Sequence, residues 1–195
     1  MSELVIAAPL RIEAALIASA ARGAPVRKTG MGPERAKQAA GGLASEAGGV
    51  LLVLGFCGGL DASSVPGEVI VAEEVYAAEE EGHGAERLRC DRAQELLGLV
   101  TGQGLKVRSG NIVCVSRLAL GERRAELHAG GAIGVDMESV WLGAGAGGRP
   151  FGVVRVVLDS PSHELMRVRA AAGALRAARA LRRVALALHE WVPAD

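Results

Sequence analysis

The sequence carries no net charge: 22 Lys and Arg balance 22 Asp and Glu, and the isoelectric point lies near 6.9. No long-range field therefore recruits a phosphate backbone, and a nucleic acid partner is not expected. Cysteine is sparse, with Cys57, Cys90 and Cys114 far apart and in neither a CxxC pair nor a zinc spacing. That excludes a disulfide framework and suits a reducing cytoplasm. His83, His128, His163 and His189 stand singly, without a metal-ligand pattern, so no metal is expected. No apolar run approaches the roughly 20 residues needed to cross a bilayer, and MSELVIAAPL has no basic leader segment. The expectation is a soluble, cytoplasmic protein.

What is present is apolar substance: half of the 195 residues are hydrophobic, enough for one sizeable core and a single domain over residues 1–195. Short Val- and Ile-rich runs at Leu4 to Ala8, Val50 to Leu54, Glu68 to Val75, Asn111 to Val115, Ala132 to Val135 and Gly152 to Leu158 read as strands buried on both faces. Between them Arg11 to Ala21, Pro33 to Ala47, Asp91 to Val100, Glu122 to His128 and Asp136 to Gly143 read as helices. This alternation predicts an α/β protein with a mostly parallel sheet between helical layers, and with its site at the carboxyl ends of the strands. Residues 79–86 read as a loop, and GAGAGG at 143–148 as a connection. The last helix, Ser162 to Trp191, is rich in arginine. It suits transient contact with anionic lipid headgroups, or else a solvated face with a few ion pairs.

Four segments carry candidate chemistry. Gly30-Met31-Gly32-Pro33 and Gly55-Phe56-Cys57-Gly58-Gly59 let backbone N–H groups approach a ligand, but neither is a complete dinucleotide fingerprint, and each also reads as a plain turn. In Val135-Asp136-Met137-Glu138-Ser139, two carboxylates end a buried strand. They bind sugar hydroxyls, or they cap the following helix. Arg155-Val156-Val157-Leu158-Asp159 ends a strand in a carboxylate, the place where α/β folds put catalytic groups, and Arg155 reads equally as the ion-pair partner of a buried acid. Pro9-Leu10-Arg11-Ile12-Glu13 sets a cation for an anion and a carboxylate for water at the first helix, or an ordinary acidic first turn.

Taken in order, KTGMGPERA, GFCGGLDASSVPGEVIVAEEV, GAIGVDMES and PFGVVRVVLDSPS resemble the nucleoside phosphorylase and nucleosidase superfamily, which includes 5′-methylthioadenosine/S-adenosylhomocysteine nucleosidase. They look most like its hopanoid-associated phosphorylase branch. The resemblance implies a three-layer α/β/α sandwich with a mixed, mostly parallel central sheet, and cleavage of the N-glycosidic bond of a 5′-substituted adenosine such as adenosylhopane. It implies that Asp159 donates a proton toward N7 of the leaving purine and that Glu13 positions the nucleophile. It further implies that Glu138 grips the ribose hydroxyls while Met137 packs on the sugar. Phe56, Cys57 and Gly58 would lie beside the sugar, and Val115 and Ser116 against the base. Loss of Asp159 is expected to be severe for catalysis and mild for folding.

The nucleophile is open at this stage. Pro9-Leu10-Arg11 resembles the phosphate-binding segment of bacterial purine nucleoside phosphorylases, with Arg11 on the phosphate. Leu54 and Phe56, however, replace an arginine and a small hydroxyl residue of such enzymes, which favours water. No cofactor is expected beyond phosphate as co-substrate of a phosphorylase. The expected partners are a small purine nucleoside and a second copy in a homo-oligomer, most simply a dimer. Another purine nucleoside phosphorylase, a futalosine hydrolase and a non-catalytic nucleoside-binding protein are the alternatives.

Overall fold

The computed structural model describes residues 4–21, 23–78, 87–162 and 170–188. Its strands are β1 (Leu4–Ala8), β2 (Val26–Lys28), β3 (Val50–Gly59), β4 (Val69–Ala77), β5 (Arg87–Arg89), β6 (Val107–Cys114), β7 (Ala132–Asp136) and β8 (Phe151–Asp159). Its helices are α1 (Arg11–Ala18), α2 (Pro33–Ala44), α3 (Ala93–Thr101), α4 (Glu122–Ala129), α5 (Ser139–Gly143) and α6 (Ala170–Leu188). The expected loop at 79–86 and the two ends of the expected last helix, 163–169 and 189–191, lie outside the described residues.

The expected mixed, mostly parallel sheet is present, with β1 parallel to both β2 and β3, β3 to β8, β4 to β6, and β6 to β7. Three pairings are antiparallel: β3 with β7, β4 with β5, and β4 with β8. Pairing also runs from β3 through β8, β4, β6 and β7 back to β3, so the sheet curls into a ring that alternating strand and helix signals do not announce. Helices α1, α3 and α6 pack together as one layer, and α2 and α5 as another. Leu51, Leu52, Ile70, Ile112, Val154 and Leu181 fill the space between layers and sheet, all fully buried.

Strand β3 runs five residues further than Val50 to Leu54, the stretch its apolar run predicts. Its glycines read as a turn in the sequence, yet they stay extended because β8 pairs along one edge and β7 binds Gly58 and Gly59 on the other. The antiparallel approach of β7 carries Asp136 back alongside β3, and β8 brings Asp159 level with Gly58. Arg149 anchors the GAGAGG connection by donating to the carbonyls of Leu43, Glu46, Gly145 and Ala146. Among the described residues no helix is long and apolar enough to cross a membrane.

Candidate active site

Glu13 belongs to the first turn of α1 but is not the exposed carboxylate an ordinary first turn would carry, being 1% exposed. Its Oε2 accepts from the Leu10 N–H at 2.6 Å, closing the start of its own helix, and its Oε1 accepts from the Phe56 N–H of β3 at 2.7 Å. Burial raises its pKa, against the opposing pull of the Arg155 charge and these two backbone donors.

Arg155, fully buried in β8, is the hub. Its Nη2 lies 2.6 Å from Asp136 Oδ2, 2.9 Å from Ser139 Oγ and 3.5 Å from Glu138 Oε2. Burial disfavours its charge, but Asp136, Glu138 and Glu13 more than compensate and hold it protonated. Asp136 pairs with this cation and, as one of the two readings of its segment expects, accepts from the Glu138 and Ser139 N–H groups at the start of α5, at 3.1 and 3.2 Å. That is why α5 starts at Ser139 rather than at Asp136. The Cys114 thiol donates to Asp136 Oδ1 at 2.9 Å. Burial pushes Asp136 up, yet Arg155 and these donors hold it below the usual carboxylate range.

Glu138 Oε1 accepts from the Gly32 N–H at 2.9 Å. Gly32 has φ of 91°, a conformation that favours glycine, so the Gly30 to Pro33 loop is a turn that aims a backbone donor at this carboxylate. Burial, with the neighbouring Asp136 charge and against Arg155, pushes the Glu138 pKa up to about 7. A raised acid pKa stabilises the fold fully below the unfolded value and loses that contribution as pH rises through the folded one. Unfolding free energy is therefore expected to fall by at most about 3 kcal/mol between pH 5 and 8, and less in Glu138→Gln. Urea midpoints across that range check this, and identical pH slopes in the two proteins would refute it.

Gly55 makes the cluster possible. A Cβ there would stand 2.7 Å from both Arg155 Nη1 and Glu13 Oε1, closer than any side chain tolerates. Gly55→Ala is expected to lower stability by about 1–3 kcal/mol through this overpacking, and to displace Glu13. Thermal unfolding checks it, and an unchanged midpoint would contradict the packing.

Asp159, at the carboxyl end of β8, lines a concavity of about 260 Å³ together with Gly58, Val115, Leu118, Ala119, Arg124, Val135, Asp136 and Met137. Of the residues expected at the site, Asp159, Met137, Gly58 and Val115 thus share one hollow. Glu138 adjoins Met137 in sequence, but its carboxylate is turned to Gly32. Glu13, Phe56 and Cys57 are not in its lining and belong to the shell around Arg155. Burial holds the Cys57 thiol neutral. Ser116 is half-buried just past β6, and Arg11 is exposed at the first position of α1.

Sequence reasoning missed Arg124. Only 3% of its side chain is exposed, and it reaches from α4 to donate to Asp159 Oδ2 at 2.7 Å and to the Ala119 carbonyl at 2.9 Å. The signal was available: Arg124 and Leu127 lie three apart on the one buried face of an otherwise polar helix. The pair also revises the expectation that losing Asp159 is mild for folding, because a buried guanidinium would be left unpaired.

No family model and no curated relative matches this chain. Among solved structures, it is similar to the Campylobacter jejuni 5′-methylthioadenosine/S-adenosylhomocysteine nucleosidase, with a TM-score of 0.78 at 13% identity over 98% of this chain and 100% of that one. It is similar to the Neisseria meningitidis nucleosidase of the same name, in complex with methylthio-immucillin-A, with a TM-score of 0.76 at 18% identity over 98% and 100%. It is also similar to the Helicobacter pylori futalosine hydrolase, with a TM-score of 0.75 at 15% identity over 94% and 97%. The chain has the fold of these nucleosidases over almost its whole length.

Proposed function

We propose that this protein is a nucleosidase that hydrolyses the N-glycosidic bond of a 5′-substituted adenosine and releases adenine. The observation that carries the reading is the placement of Asp159, Met137 and Gly58 around one hollow at the strand ends, with Glu138, next to Met137 in the chain, and Glu13 both on the Arg155 hub. Breaking a ribosyl–purine bond builds positive charge on the sugar and negative charge on the base. A carboxyl group at the base and carboxylates around the ribose oppose both. The hollow, open to solvent and walled by Val115, Val135 and Met137 with Asp159 at its edge, would take the base and leave the ribose toward Glu138. The likeness in fold to two proteins named as nucleosidases and one named as a futalosine hydrolase supports the same reading.

Water is the proposed nucleophile. Four buried carboxylates, Glu13, Asp136, Glu138 and Asp159, face two buried cations, Arg155 and Arg124, and a phosphate dianion would add charge of the sign already in excess. The exposed Ile12, Met31 and Leu118 adjoin or line the site, which suits an apolar 5′ substituent such as the hopane skeleton of adenosylhopane. Exposed Leu120 beyond it suits a second copy in a homodimer, and the three unpaired cysteines suit the cytoplasm.

Incubation with adenosylhopane, methylthioadenosine, futalosine and inosine, each with and without phosphate, tests this by release of free base. Adenine released without phosphate is the expected result. Release only with phosphate would replace water by phosphate, release only from futalosine or inosine would move the substrate to a 6-oxopurine, and no release would remove the enzyme. Because the ribose hydroxyls need an ionised acceptor, KM is expected to fall as pH rises through about 7, the value for Glu138. A KM flat from pH 6 to 8 would take Glu138 off the ribose.

A further inference from the structure

The outer face of α6 has no part in the site. Ala170–Leu188 holds Arg176, Arg179, Arg182 and Arg183 and not one carboxylate, in a chain whose total charge is zero. All four arginines are exposed. The opposite face, with Ala177, Ala180, Leu181, Val184, Ala185 and Leu188, is buried in the core. Leu175, Arg179, Arg182 and Leu186 follow one another at intervals of four, three and four residues, so they form one stripe about 16 Å long along the helix. Leu175 and Leu186, at its ends, are 51% and 42% exposed.

The neighbours extend the asymmetry. On α1, which packs against α6, Arg11 is exposed while the only carboxylate, Glu13, is buried in the site. On α3 the exposed Glu95 is matched by Arg92 at 2.7 Å. Among the described residues of these three helices, exposed arginines therefore outnumber exposed carboxylates.

We propose that the α1–α6–α3 layer docks on a lipid bilayer carrying anionic headgroups, with Arg179 and Arg182 on the headgroups and Leu175 and Leu186 dipping into the boundary below them. Interleaved leucine and arginine fit a bilayer interface, where both find a partner. They fit a polynucleotide poorly. The stripe offers no aromatic ring for base stacking, and α6 is packed into its layer instead of projecting into a groove. The docking does not depend on the nucleosidase reading: a protein that releases no base would still bind vesicles.

Sedimentation of the full chain with vesicles tests it, using phosphatidylcholine alone and phosphatidylcholine with about one-third phosphatidylglycerol. The expected result is binding to the anionic vesicles only, weakening as salt is raised toward about 0.15 M. At about fivefold per arginine, Arg179→Gln with Arg182→Gln lowers the affinity about 25-fold. Leu175→Asn with Leu186→Asn also weakens it, while both pairs unfold at the wild-type temperature. No binding to anionic vesicles at low salt would overturn the proposal. So would affinity untouched by either pair, or polyadenylate binding as tight as vesicle binding and indifferent to the leucines, which would make the face a polyanion site.

Discussion

Asp159→Asn is expected to slow base release by about 100-fold to 10,000-fold, the contribution of one positioned general acid. The amide can accept a hydrogen bond but carries no proton suited to transfer toward a departing purine nitrogen. It can still accept from Arg124, now 2.7 Å from the carboxylate, so the unfolding free energy measured in urea should fall by less than when no acceptor remains. Asp159→Ala separates the two roles. It loses the same activity, but it also strands a guanidinium of which 3% is exposed, a change of about 3–5 kcal/mol. The Arg124 pair is also a demand on the mechanism, since the group that must protonate the base rests as the partner of a cation. Arg124→Met should therefore change kcat while leaving a folded protein. Equal activity in Asp159→Asn and wild type would remove Asp159 from the chemistry.

The second large effect concerns Arg155. Arg155→Met is expected to lower stability by about 3–5 kcal/mol near neutral pH, because it withdraws the cation shared by Asp136, Glu138 and Glu13 from a fully buried position. Protonation of those acids relieves their repulsion, so acidification should restore part of the loss. Wild type also gains on acidification through Glu138 and Glu13, and the variant should gain more, since three acids rather than two then resist ionisation. Arg155→Lys keeps the charge but cannot bridge Asp136 and Ser139 as a planar fork, so it should fall between the two. Urea unfolding at pH 5 and 7.5 measures all three. An Arg155→Met protein as stable as wild type at both values would show that the carboxylates do not depend on Arg155.

Much of this arrangement is legible in the residues, and the rest fails to be for identifiable reasons. Strand β1 and the starts of α1, α2, α4 and β7 fall where apolar runs and a proline at the first helical turn put them. Strands β2 and β5 escape notice because three residues give no period, and both carry exposed charged side chains. Gly55 to Gly59 reads as a loop and is strand, because the missing side chains make room for groups approaching from elsewhere, Arg155 and Glu13 at Gly55 and Arg124 and Asp159 at Gly58, which no local pattern records. Asp136 and Glu138 are flagged by their position after a buried run. Their division of labour, one on Arg155 and one on Gly32, depends on an antiparallel approach of β7 to β3 that is settled only in three dimensions. Arg124 lies 35 residues before its partner, on a helix that reads as surface.

The central claim is that a purine and its ribose lie between Asp159 and Glu138. A crystal structure with a non-cleavable 5′-substituted adenosine analogue tests it directly. The account predicts purine N7 within about 3 Å of an Asp159 oxygen and both ribose hydroxyls on Glu138, with the glycosidic carbon facing Glu13. An analogue seated away from the hollow, or held there with its ribose turned from Glu138, would contradict it.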